Sequence, residues 1–98
     1  MITIISGSNR DDNNTKKVAF EYKRLIGERS LESNVFALDE VTVIYRDDAF
    51  VDLENLYLAP ADKFIIIMPE YNGSYPGILK LMIDNTSVAR AWGNKKVL

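Results

Sequence analysis

The stretch Phe64-Ile65-Ile66-Ile67-Met68-Pro69 decides the fold. Five consecutive apolar residues without alternation suit a strand covered on both faces, as at the centre of a parallel sheet. Pro69 stops the run and pushes Met68 into an extended conformation. The chain opens on a second run of this kind, Ile2-Thr3-Ile4-Ile5, bounded at once by Ser6-Gly7-Ser8. After it the period changes. Val18, Tyr22, Leu25, Ile26 and Arg29 fall on helical spacing, with Asn13, Asn14 or Thr15 as N-cap and Gly27 weakening or ending the helix. Residues 35–38 read as another strand, and residues 39–46 as a loop with a strand-like centre where Val41, Val43 and Tyr45 alternate. A short helix is expected over 53–58, closed by Pro60, and a longer one over 78–91 with Leu79, Met82, Ile83 and Val88 inward. Residues 95–98 begin a further strand. Strand, helix, strand, connection, strand, helix is the pattern of an α/β doubly wound parallel sheet with right-handed crossovers.

Composition narrows the chemistry. The 98 residues fit one small domain, and 47% of them are apolar, enough for a packed core. With 12 basic and 14 acidic residues the net charge is −2, which lacks the basic field that nucleic acid or an anionic membrane requires. Cysteine and histidine are both absent, so thiolate nucleophiles, iron–sulfur ligation and histidine-based triads have no residues to work with. A metal site would have to be all carboxylate. Asp62, Glu70 and Asp84 sit on different elements, and capping or surface roles suit them better. No catalytic residue and no metal ligand is assigned; chemistry is expected to belong to a bound cofactor. Met1 runs straight into the first strand with no basic leader and no spanning segment, so the expected location is the cytoplasm.

Doubly wound sheets hold ligands at the carboxyl ends of strands flanking a topological switch point, which singles out the loops after Ile5 and after Met68. The first loop joins a strand to a helix N-terminus, where free N–H groups and the helix dipole favour an anion. Gly7 permits close backbone approach, Ser8, Asn13 and Thr15 offer short donors, and Arg10 adds charge-assisted contacts. It is neither a Walker loop nor a dinucleotide fingerprint, and Asp11 and Asp12 oppose a phosphate unless they face water. The same residues also serve as ordinary caps and turn formers, so their spacing leaves both readings open. The second loop, Pro69-Glu70-Tyr71-Asn72-Gly73-Ser74-Tyr75-Pro76-Gly77, offers two flat tyrosine faces and the two-way hydrogen-bonding edge of Asn72. Those suit a planar heteroaromatic ring, although the tyrosines serve equally as covers for the core.

Taken together the two loops resemble those of the NAD(P)H-dependent FMN reductases, which have a flavodoxin-like fold and include quinone, azo-dye and chromate reductases. Gly7-Ser8-Asn9-Arg10 through Asn13-Asn14-Thr15 is similar to their phosphate loop. Ala61-Asp62, the apolar strand, the loop from Pro69 to Gly77, Leu79-Lys80 and Ile83-Asp84 resemble their second signature. Asn13 stands where serine is common and Leu81 where asparagine is usual. The resemblance implies that Ser8, Arg10, Asn13, Asn14 and Thr15 hold the phosphate of FMN. It implies that Pro69, Glu70, Tyr71, Asn72 and Gly73 line the isoalloxazine ring. NADPH or NADH would be the reductant and a small molecule the electron acceptor, with hydride passing through the flavin and no nucleic acid or membrane involved.

Family domains continue with two more strands, further helices and a third loop beside the flavin. The expectation is therefore that residues 1–98 are the N-terminal part of one FMN-binding domain, the sheet being cut at the start of its fourth strand. In strand order 2-1-3-4-5 the strand at 64–68 would be left as an exposed edge, which invites pairing with another chain. A truncated product or a homo-oligomer closing that edge is expected. The alternative function is a non-catalytic flavin-binding module, or an inactive fragment acting only as an interaction domain. Asp11-Asp12 and Asp47-Asp48 would then face a basic redox partner, unless they are simply solvated surface.

Overall fold

The computed structural model describes residues 1–10, 14–69 and 76–98. Four strands, β1 (Ile2–Ser6), β2 (Ser33–Ala37), β3 (Lys63–Ile67) and β4 (Lys96–Val97), form one all-parallel sheet in the order β2-β1-β3-β4. The helices are α1 (Asn14–Glu28), α2 (Asp48–Leu53), α3 (Gly77–Asn85) and α4 (Val88–Ala91). A π-helical turn, Glu54–Leu58, continues directly from α2.

Register explains the two layers. Ile5 pairs with Phe36 on one side and Ile66 on the other, and Phe64 lies two residues before Ile66, so all four side chains share a face. That face carries the main core, where Ile5, Phe36 and Phe64 meet Phe50, Leu58 and Met82 from the helical layer. Phe36 stacks on Tyr57 at 5.2 Å between ring centroids, and Phe64 tilts against Trp92 at 4.8 Å. Ile4 points the opposite way, fully buried, towards the face that α1 covers with its fully buried Ala19. Trp92 thus packs the last helix onto the sheet, and its indole N–H donates to Thr86 Oγ1 at 2.7 Å.

Several expectations change. Residues 39–46 contain no strand: the carbonyls of Val43 and Ile44 accept hydrogen bonds from the Asn85 side chain instead of joining a ladder. The alternation there records Val43 plugging the core while Tyr45 stays 70% exposed. The helix expected over 53–58 starts earlier, because the Asp47 carboxylate caps α2 by accepting from the Phe50 N–H at 2.8 Å. The Asp47-Asp48 pair is thus explained by the start of a helix. The helix expected over 78–91 is two helices, since Ser87 gives its N–H to the Glu54 carboxylate at 2.5 Å and Thr86 takes an extended conformation. Leu79 and Met82 are buried as expected, but Ile83 is partly exposed and Val88 largely so. β3 is not the edge. The Leu98 N–H donates to the Phe64 carbonyl at 2.8 Å and the Ile66 N–H to the Leu98 carbonyl at 2.9 Å, so β4 covers β3 as far as Ile66.

The end of α1 makes a testable point. Leu31 N–H reaches the Ile26 carbonyl and Ser30 N–H the Gly27 carbonyl, a Schellman closure with Ser30 at φ 60°, the left-handed region. Ser30→Gly should raise stability by about 0.5–1 kcal/mol, because a residue with a Cβ is strained there. Urea unfolding of the two proteins checks this; an unchanged midpoint would show that Ser30 carries no strain.

Candidate functional site

The carboxyl ends of β1 and β3 are drawn together at Gly7. Its N–H donates to the Ile67 carbonyl at 2.8 Å. A Cβ placed on Gly7 would meet Ile67 O at 3.2 Å, and both Leu79 Cδ2 and Met68 Cβ at 3.3 Å. Glycine here lets the two strand ends that carry the candidate loops lie side by side. This is the switch point of the sheet, with β2 to one side of β1 and β3 to the other.

Of the residues expected to hold a phosphate, Ser8 is buried at 2% exposure, and its Oγ accepts the Arg10 backbone N–H at 3.4 Å. Arg10 and Asn14 are exposed and Thr15 is half-buried. Asn14 and Thr15 form the first turn of α1, a helix of 15 residues whose opening N–H groups lack helical partners. Ser8, Arg10, Asn14 and Thr15 are thus gathered at one strand-to-helix junction. Asn13 lies outside the described residues. Of the residues expected to line a ring, Pro69 follows β3 directly and is half-buried, while Glu70, Tyr71, Asn72 and Gly73 lie outside the described residues. The far end of that loop is anchored by Pro76, buried, whose carbonyl accepts from the N–H groups of Leu79 and Lys80 at the start of α3.

The group implied by the sequence fits this junction. FMN carries a phosphate monoester, which needs a close backbone approach, free N–H donors and short hydroxyl or amide groups. Gly7, the first turn of α1 and Ser8, Asn14 and Thr15 supply them. Ser6 Oγ, at the tip of β1, is fully buried with no hydrogen-bond partner among the described residues.

Sequence reading missed a charged cluster beside the same junction. Lys16, in the first turn of α1, places Nζ 3.2 Å from Asp39 Oδ2 and 2.6 Å from Glu40 Oε1, both just beyond the end of β2. Hydrogen bonding to Glu40, then to Asp39, raises the Lys16 pKa, so the ammonium stays charged. Asp39 is only 11% exposed, and its Oδ1 has no partner among the described residues. Acidic residues after a second strand facing a lysine at a helix start were the available signal, but 23 residues separate Lys16 from Asp39. Glu54, fully buried under Arg46 and Arg90, was missed in the same way.

Asp62 and Asp84 have local roles. Asp62 pairs with the Met1 ammonium at 2.7 Å, which hydrogen-bonds it and holds its carboxyl below the usual range. Asp84 pairs with Lys80 one turn away on α3. Among the described residues no helix is long and apolar enough to cross a membrane.

Comparison with known proteins agrees with this geometry. The family model for NADPH-dependent FMN reductases matches residues 1–98. A 2-hydroxy-1,4-benzoquinone reductase from Burkholderia sp. is 32% identical over 102 residues, which cover 94% of this chain and 51% of that protein. A solved apo-form NADH:FMN oxidoreductase superposes with a TM-score of 0.80 at 24% identity, over 98% of this chain and 54% of that one, and so shares the fold. The chain spans about half the length of the curated relative it matches.

Proposed function

Since the chain belongs to the NADPH-dependent FMN reductase family, we propose that it is the flavin-holding part of a cytoplasmic NAD(P)H oxidoreductase that reduces small molecules, quinones among them. The meeting of the β1 and β3 ends at Gly7, with the N-terminus of α1 beside them, carries the reading. Ser8, Arg10, Asn14 and Thr15, with Asn13, hold the phosphate. Pro69, Glu70, Tyr71, Asn72 and Gly73 line the ring. FMN, when bound, would supply the redox chemistry that links NADH or NADPH to the second substrate. The protein's own part is to place the ring and keep one of its faces open. A chain without histidine or cysteine can do this, because positioning needs no side chain that exchanges protons near neutral pH.

Titrating the chain with FMN while following flavin fluorescence tests the reading. Quenching that saturates at one flavin per chain, followed by NADH or NADPH oxidation with a benzoquinone as acceptor, is expected. Absence of quenching would overturn flavin binding by this chain. Quenching without nicotinamide oxidation would leave a flavin-binding module and overturn the reductase.

The chain is further proposed to act as a homo-oligomer. Val18, Tyr22 and Leu25 line α1 at 43–44% exposure, while Met68 and Val97 are half exposed near β4. Apolar surface left open on both sides of a sheet favours association. Light scattering is expected to give a mass well above the 11.1 kDa of one chain; a stable monomer would refute it.

A further inference from the structure

The cluster of Lys16, Asp39 and Glu40 lies at the mouth of the phosphate junction, yet neither carboxylate suits an anion site. Asp39 and Glu40 follow β2, the strand adjacent to β1, and the Leu38 N–H is bonded to the Ser6 carbonyl at 3.1 Å. The end of β2 is therefore fixed directly beside the tip of β1. Two negative charges there oppose the binding of a phosphate at the neighbouring helix start. Helix geometry puts Lys16 on the same turn as the N–H groups that would bind the phosphate, so both carboxylates and the phosphate fall within roughly one Debye length of its ammonium. Asp39 is only 11% exposed, so water screens its charge poorly. The Lys16 ammonium faces both acids.

We propose that Lys16 is a positioning residue for the flavin phosphate, acting through Asp39 and Glu40. Its ammonium neutralises the acidic end of β2, so that the two carboxylates beside the first turn of α1 do not repel a phosphate bound there. Lys16 thereby preserves the affinity of Ser8, Asn14 and Thr15 for phosphate without being their substitute. Asp39 and Glu40 in turn stop Lys16 from swinging into the site. The inference rests on the FMN reading above.

The test is FMN titration of the full chain at low and at high salt, for the wild type, Lys16→Met, Lys16→Arg, Glu40→Gln and Lys16→Met combined with Asp39→Asn and Glu40→Gln. Lys16→Met is expected to weaken FMN binding roughly tenfold at low salt, with Lys16→Arg close to wild type. Removing both carboxylates from Lys16→Met should restore most of the affinity, which loss of a merely structural contact would not allow. Glu40→Gln alone, at a site 57% exposed, should tighten binding about twofold, an effect that salt abolishes. Equal affinity of Lys16→Met and wild type would overturn the inference, as would a triple variant no better than Lys16→Met. If Lys16→Met fails to fold by circular dichroism, Glu40→Gln decides, and unchanged or weaker binding there overturns it. A wild type that does not quench flavin overturns the flavin reading itself, and this inference with it. A wild type that binds, with Lys16→Met unaffected, overturns only the role of Lys16.

Discussion

Replacing Glu54 by alanine should destabilise the protein by about 3 kcal/mol, the largest single loss expected from an acidic residue here. The carboxylate is fully buried and receives both nitrogens of Arg46, at 3.2 and 3.1 Å, the Ser87 N–H at 2.5 Å and Arg90 at 3.5 Å. Arg46 also donates to the Asn85 carbonyl at 2.8 Å, and Asn85 donates to the carbonyls of Val43 and Ile44. Glu54 therefore ties the π-helical turn, the 43–46 loop and the break between α3 and α4 into one unit. Because Arg46 and Arg90 are 39% and 48% exposed, they can return to water when the carboxylate is lost. The expected cost therefore falls at the low end of the range for broken buried pairs. Thermal unfolding should show it as a fall in Tm of several degrees for each kcal/mol.

Acid should reveal the same charge. Burial pushes the Glu54 carboxyl up, but Arg46, the Ser87 N–H and Arg90 outweigh it and hold the group below its ordinary value of 4.5. The folded state then binds fewer protons than the unfolded one. The stabilisation is complete above that ordinary value and is lost as pH falls through the lowered one. Wild type should therefore lose Tm more steeply than Glu54→Gln below about pH 4.5. Parallel curves would show that the charge of Glu54 contributes nothing.

The second large effect is expected at Gly7. Gly7→Val puts a branched side chain where a Cβ alone would already lie 3.2 Å from the Ile67 carbonyl and 3.3 Å from Leu79 and Met68. The neighbours with the tightest approach include backbone, which yields little. The ends of β1 and β3 must separate, straining the Gly7–Ile67 hydrogen bond, at about 1–3 kcal/mol. The loops proposed to hold the phosphate and the ring follow those two ends, so FMN affinity should fall roughly tenfold to hundredfold. Fluorescence titration beside urea unfolding separates the two losses. Unchanged flavin affinity in a destabilised variant would show that the strand ends do not set the site.

The residues that proved legible act over short spans. An apolar run between turn residues reads as a buried strand because its own composition requires cover on both faces; residues 2–5 lie in β1 and residues 64–67 in β3, with Met68 just past the end of that strand. The start of α1 was expected at a cap among Asn13, Asn14 and Thr15; Asn14 and Thr15 lie inside its first turn and Asn13 outside the described residues, while the junction of β1 with α1 followed from Gly7 and Ser8. Residues 39–46 are a loop, as expected, but without the strand-like centre that the alternation of Val41, Val43 and Tyr45 suggested, because Val43 fills the core from a loop whose carbonyls Asn85 satisfies. The single helix expected over 78–91 failed because the competitor for the Ser87 N–H is Glu54, 33 residues away.

By itself the sequence determined the parallel α/β class, the two strand-end loops and the family, since each depends on runs of neighbours whose sizes and turn preferences act locally. Only the tertiary structure decided which charges meet. It brought Lys16 to Asp39 and Glu40, set Arg46 and Arg90 on Glu54, and moved the free edge from β3 to β4. Those pairings depend on how strands and helices stack in space, and an ion pair leaves no periodic trace along the chain.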